Sequence, residues 1–148
     1  MPDAEPLLLF RRAPFGLDRR ALERFARELR DRVTGGRQFR CLITNDSELR
    51  RLNRQFLRKN YPTDVLSFPA ASDAAELGEM AISGQRAAEQ AREFGHDLED
   101  EIRILMLHGV LHLTGMDHER DRGAMARSEI AWRKRLGLPC GLIERVSA

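Results

Sequence analysis

An eleven-residue stretch, His108-Gly-Val-Leu-His112-Leu-Thr-Gly115-Met-Asp117-His118, constrains this chain more than any other. It holds three of the four histidines in the 148-residue sequence, at positions i, i+4 and i+10. On an α-helix, side chains four apart lie on one face, with Cβ atoms roughly 5–6 Å apart. Two imidazoles so placed can reach one ion at about 2.0–2.1 Å each, the Zn–N distance. Glycine accepts the left-handed backbone that ends helices, so Gly115 is expected to stop the helix and turn the chain back. His118 then arrives as a third nitrogen ligand. Three neutral ligands with an open fourth position mark a catalytic metal site rather than a closed structural one, and imidazole suits Zn, Cu, Ni and Fe alike. The competing reading is scattered histidines, solvated or filling the core. Their clustering on an otherwise apolar helix favours the metal.

That helix is itself informative. From Ile102 to Leu113 nearly every residue is apolar, and a helix apolar all round is buried. Asp97 is placed to cap it, and Glu99, Asp100 and Glu101 fill the first turn, where the helix dipole favours acids. A metal at its C-terminal end would have dry walls on most sides. The segment is well short of the ~20 residues that span a bilayer. The acidic N-terminus, with only four apolar residues after it, does not read as a signal peptide. A cytoplasmic location with no membrane partner is the expectation.

Along the rest of the chain, strand and helix patterns alternate. Leu7–Phe10 reads as a strand, and Leu22, Phe25, Ala26, Leu29 and Val33 give a helix. Asp18 is its N-cap, Leu17 and Leu22 a hydrophobic staple, and Gly35-Gly36 its stop. Gln38–Thr44 alternates as a strand. Asn45 with Glu48 forms a capping box for a helix carrying Leu49, Leu52 and Phe56 on one face and four arginines on the other. Thr63–Phe68, bounded by Pro62 and Pro69, is a third strand; Gly78–Ser83 is a fourth. Ser83 caps a helix closed by Gly95. Asp121–Leu136 forms the last helix, with Met125 and Trp132 in the core. Four short strands interleaved with about five helices predict one domain over 1–148, of α+β or α/β type: a small four-stranded mixed sheet covered by helices, with the zinc site at the end of the buried central helix. Gly35-Gly36 lacks the lysine and spacing of a nucleotide-binding loop, so no nucleotide cofactor is expected.

Net charge is only +2, but unevenly spread. Residues 1–60 carry fifteen Lys/Arg against eight Asp/Glu, and residues 61–100 carry two against nine. Only two of the 25 basic residues are lysine. Arginine grips phosphate bidentately, so a basic lobe facing a metal cleft suits a polyanion. Solvated helix faces give the same count. Cys41 in an apolar run is expected to be buried, and two distant cysteines imply no disulfide framework.

The spacing His-x3-His-x2-Gly-x2-His is that of the metzincin proteases, whose general-base glutamate follows the first histidine. Here that position is Gly109. A protease would lack its proton acceptor, and the glycine reads as a gap through which substrate or water approaches. A phosphodiester is a reasonable target, because a dication stabilises its anionic transition state directly. RNA adds its own nucleophile in the 2′-hydroxyl.

His108-Gly-x-Leu-His112-Leu-x-Gly115-x-Asp117-His118 resembles the signature of the YbeY family of endoribonucleases and rRNA maturation factors. Pro62-Thr-Asp-Val-Leu-Ser-Phe-Pro69 matches that family's second signature. Leu77-Gly-Glu-Met-Ala-Ile-Ser83 resembles its third, with Glu79 where aspartate is usual. The similarity runs from about Asn53 to Glu129. The resemblance implies a single-strand-specific, metal-dependent endoribonuclease of the bacterial cytoplasm, with zinc on His108, His112 and His118. It implies action on the 16S rRNA precursor in 3′-end maturation, ribosome quality control and small-subunit assembly. The family shows an aromatic residue then arginine, five positions before Pro-Thr-Asp. Here Phe56 fills the aromatic slot but Leu57 the next, so Arg58 is expected to take over the phosphate contact after a one-residue shift. The plain alternative is an exposed arginine at a helix C-terminus.

Three classes follow: the RNA hydrolase, an assembly factor that binds RNA or protein without cleaving, and a metalloprotease-like hydrolase, against which Gly109 speaks. Asp117 is either a partner orienting an imidazole or a helix cap. Thr63 and Asp64 either shape the cleft floor or form a turn. His96 reads as a surface loop residue rather than a ligand.

Overall fold

A computed structural model describes residues 5–56, 63–71, 75–116 and 121–143. Four strands, β1 (Leu8–Phe10), β2 (Gln38–Thr44), β3 (Val65–Pro69) and β4 (Glu76–Ser83), form one sheet in the order β1-β2-β4-β3. β1, β2 and β4 run parallel and β3 is antiparallel to β4, so the sheet is mixed, as expected. Five α-helices pack around it: α1 (Arg19–Glu28), α2 (Asp46–Phe56), α3 (Gly84–Phe94), α4 (Leu98–Leu113) and α5 (Ala124–Leu136). The fold is α+β.

Register explains how the faces are shared. Cys41, Met80 and Ser67 lie in one cross-strand row, and Phe10, Ile43, Ile82 and Val65 in the next row on the same face. The apolar members of these rows join α1, α3, α4 and α5 in the main core with Leu22, Phe25, Ala87, Met106 and Met125. The opposite face carries Leu42, Ala81 and Leu66, packed with Leu49 and Leu52 of α2 in a smaller cluster. Burial pushes the Cys41 thiol far up from its ordinary range, as expected of a small core residue. None of the described helices is long and apolar enough to cross a membrane.

Most caps fall where the side chains ask for them. Asp18 accepts from Ala21 N, Asn45 from Glu48 N, Ser83 from Arg86 N and Asp97 from Asp100 N. Three details differ from expectation. The first helix turns π-helical over Leu29–Val33 before Gly35 and Gly36 take positive φ. Glu48 directs its carboxylate to Arg51 rather than back to the cap. The last helix begins at Ala124, and Asp121 stands ahead of it, accepting from Gly123 N and Met125 N. Met125 is core, but Trp132 is half-buried at the rim, flanked by Arg32 and Arg135 with guanidinium carbons 5.9 and 5.0 Å from its ring centre.

Gly78 is the glycine the sheet cannot replace. Its φ is +137°, and a Cβ there would sit 2.3 Å from Phe68 O and 2.8 Å from Ala70 N, both backbone atoms. Neither can yield without parting β3 from β4. Gly78→Ala should therefore destabilise the fold by about 2–4 kcal/mol, combining backbone strain with overpacking. Urea unfolding measures this, and a loss under about 0.5 kcal/mol, the range of neutral surface changes, would contradict it.

Candidate metal centre

α4 brings two of the three signature histidines together. His108 is 6% exposed, and His112, one turn on, is half-buried. Their rings meet edge to face, with centroids 4.8 Å apart and planes at 73°. α4 ends at Leu113, Gly115 follows with φ +102° and its N–H bonded to His112 O, so the chain turns where the glycine predicts. His118, Asp117 and Arg58 lie outside the described residues. Among the described residues no three metal-ligating side chains converge.

One residue unforeseen from the sequence completes the arrangement. Glu129 of α5, only 1% exposed, places Oε2 2.7 Å from His108 Nδ1. Its other oxygen, Oε1, accepts from Ile143 N at 2.7 Å. An ionised carboxylate only accepts hydrogen bonds, so this contact assigns the proton to Nδ1 and the lone pair to Nε2. A carboxylate behind the imidazole is the usual device for orienting a metal-ligating histidine and raising its basicity. The donor set therefore fits a metal: a fixed tautomer on His108, with a second imidazole one helical turn away. Glu129 lies 21 residues from His108 in an ordinary amphipathic helix, so only tertiary packing reveals the pairing.

Gly109 is not a gap. A Cβ at this position would lie 2.8 Å from Met80 Sδ and 3.3 Å from Val65 Cγ2. The glycine lets α4 press against β3 and β4, and Ser67 Oγ donates to Gly109 O at 3.2 Å to hold them together. The space expected to admit substrate or water is filled by the sheet. A glutamate at this position would have to displace the Met80 side chain, which further disfavours a protease.

His96 departs from expectation too. It sits in the α3–α4 loop, yet its side chain is 8% exposed and its Nε2 lies 2.6 Å from Oε1 of Glu101, which is fully buried. It anchors the loop to the first turns of α4. Asp64 joins β3 to α3: its Oδ2 accepts from Gln90 Nε2, and its carbonyl accepts from Ser83 N. This is a structural tie, in keeping with the turn reading.

Comparison with known proteins bears on the whole chain. The family model described as Endoribonuclease YbeY matches residues 17–137. The chain belongs to this family. The match begins well ahead of Asn53, so it includes α1 and β2 as well as the signature segments. An Endoribonuclease YbeY of Solibacter usitatus is 63% identical over 139 residues, covering 94% of this chain and 93% of that protein. Its counterpart in Koribacter versatilis is 46% identical over 141 residues, covering 95% and 92%. A Thermotoga maritima protein solved in solution shares the fold, with TM-score 0.56 and 27% identity over 88% of this chain and 94% of its own.

Glu129→Gln keeps the size of the side chain but removes the charge behind His108. Zinc affinity, measured by competition with a chromophoric chelator, should fall 10–100-fold while the fold survives by circular dichroism. Unchanged affinity would reduce Glu129 to a core-packing role.

Proposed function

We propose that this chain is a metal-dependent endoribonuclease of single-stranded RNA, cytoplasmic, acting on the 16S rRNA precursor in 3′-end maturation, with parts in ribosome quality control and small-subunit assembly. The observation that carries the reading is the His108–His112 pair on a buried helix, with Glu129 behind His108, in a chain whose relatives are named endoribonucleases. His108, His112 and His118 would hold one zinc ion. When bound, such an ion supplies Lewis-acid stabilisation of the negative charge that develops on a phosphoryl oxygen.

The protein's own groups do the remaining work. Glu129 keeps the His108 proton on Nδ1 and prevents the ring from rotating. The sheet and the surrounding helices bury α4 from Ile104 to Leu111, so the half-buried His112 lies at the edge of a packed core. No carboxylate follows His108, so the 2′-hydroxyl of RNA is the readiest nucleophile, which favours RNA over peptide. Arg58 takes the phosphate contact on the α2 side. Its guanidinium is suited to a non-bridging oxygen of the scissile group.

The purified protein should cleave a single-stranded RNA carrying the 16S 3′ end. Chelator should abolish cleavage, zinc should restore it, and His112→Ala should lose it by at least 100-fold, the order seen when one transition-state stabiliser is removed. RNA binding without cleavage, indifferent to chelator, would favour a non-catalytic assembly factor instead. Arg58→Ala should lower kcat/KM by about tenfold or more, matching the ~1.5–3 kcal/mol of a hydrogen bond to a charged group. Wild-type cleavage and RNA affinity in that variant would remove Arg58 from the mechanism.

A further inference from the structure

We propose a second phosphate-binding site, at the carboxyl ends of β1 and β2, that holds the backbone of a single-stranded RNA substrate; the RNA assignment rests on the function proposed above. A cavity of about 260 Å³ is lined by Arg11, Arg12, Thr44, Glu48 and Arg51. Arg11 and Arg12 directly follow β1, Thr44 ends β2, and Glu48 and Arg51 belong to the first two turns of α2. None of the signature histidines contributes. In open sheets with parallel strands, ligands settle outside the carboxyl ends of the strands.

Three guanidiniums face one carboxylate, so the cavity keeps an excess of two positive charges. Glu48 serves mainly to aim Arg51: its Oε1 and Oε2 accept from Arg51 Nη2 and Nε at 2.6 and 3.1 Å. Gln55 Oε1 holds Arg51 Nη1 at 2.8 Å from the other side. The hydrogen bond from Arg51, with Arg11 and Arg12 close by, holds the Glu48 carboxyl below its ordinary range. The pair thus stays charged and in place across the neutral pH range.

Two further observations point to a ligand. Thr44 is 1% exposed, and its Oγ1 has no hydrogen-bond partner among the described residues. A buried hydroxyl is ordinarily satisfied, and an unsatisfied one beside a cavity marks where a bound group would contribute the missing contact. Arg12 holds a left-handed backbone, φ 56°, that non-glycine residues rarely adopt. Such strain persists where the surrounding structure requires it and is enriched at ligand sites.

The chemistry selects the ligand. Three arginines exclude a divalent cation, and the polar lining disfavours an apolar molecule. Forked guanidiniums with a hydroxyl among them suit the tetrahedral oxygens of phosphate. Arg12 also lines a neighbouring cavity of about 440 Å³, with Asn45, Gln85, Arg92 and one carboxylate, Glu89. The two cavities meet at Arg12, so a strand held there would find a further guanidinium, Arg92, beyond it. Arg11 and Arg51 are open to solvent, with side chains 58% and 51% exposed.

The test reads binding, not cleavage. In a His112→Ala background, affinity for a labelled single-stranded RNA is measured across a salt series. Replacing both Arg11→Gln and Arg12→Gln should weaken binding at least fivefold and flatten the slope of log K against log salt by about 1.4, roughly 0.7 per lost phosphate contact. A pair with the same charge loss on α1, Arg20→Gln with Arg24→Gln, should leave that slope unchanged. Thr44→Val should weaken binding without altering the slope, since the hydroxyl is neutral. An unchanged slope in the Arg11/Arg12 variant, or an equal drop in the α1 control, overturns the site. Inorganic phosphate, added at constant ionic strength, should displace RNA from the parent but not from the Arg11/Arg12 variant. Phosphate binding that depends on Arg12 while RNA affinity does not would overturn the RNA assignment. The two proposals fail separately: binding with the expected slope but no cleavage defeats the nuclease, and cleavage with an unchanged slope defeats the second site.

Discussion

The enclosure of α4 organises this molecule. Past its first turn the helix carries one charged side chain, Arg103, before the histidines begin, and nearly all of its surface is hidden. A rod of that kind is stable only if other elements surround it. The sheet covers one side, pressing so closely that a Cβ at position 109 would meet the Met80 sulfur at 2.8 Å. α1, α3 and α5 contribute Phe25, Ala87 and Met125 to the rest of the wall. His108 is the residue next to this close contact. A closely packed turn and the candidate chemistry therefore adjoin, which suits a site needing sub-ångström placement.

Buried histidine–glutamate pairs occur at both ends of this helix, and the contrast between them separates structure from chemistry. His96 and Glu101 are five residues apart and fasten a loop to the helix that follows it. His108 and Glu129 are 21 residues apart and join two helices. Distances within the pairs, 2.6 and 2.7 Å, do not distinguish them. What does is the company: a second imidazole stands one turn from His108. A buried ion pair alone is weak support for a site, whereas an oriented imidazole beside another is a partial ligand set.

Much of the fold was legible because its signals are local. Asp18, Asn45, Ser83 and Asp97 each satisfy an amide three residues on, and Gly95, Gly115 and Gly137 adopt the positive φ that ends a helix. The histidine spacing is local as well. What escaped the sequence depends on distant partners. Glu129 reads as one more acid in an amphipathic helix until α5 docks on α4. His96 reads as a loop residue until Glu101 is seen beneath it. Gly109 invites interpretation as open space, because a missing side chain looks the same on paper whether the vacancy is empty or occupied by Met80 and Val65. The π-helical turn at Leu29–Val33 has no composition of its own to announce it.

Glu129 has two oxygens and spends one on each end of the molecule's last third. Oε2 holds an imidazole of α4, and Oε1 holds the amide of Ile143, close to the chain's C-terminus. A single carboxylate that serves two masters couples them thermodynamically. Whatever fixes the imidazole also steadies the terminal segment, and whatever loosens that segment is felt at the imidazole by the same free energy, since linkage works equally in both directions. The segment at Ile143 is thus, in energetic terms, a remote part of the surroundings of His108.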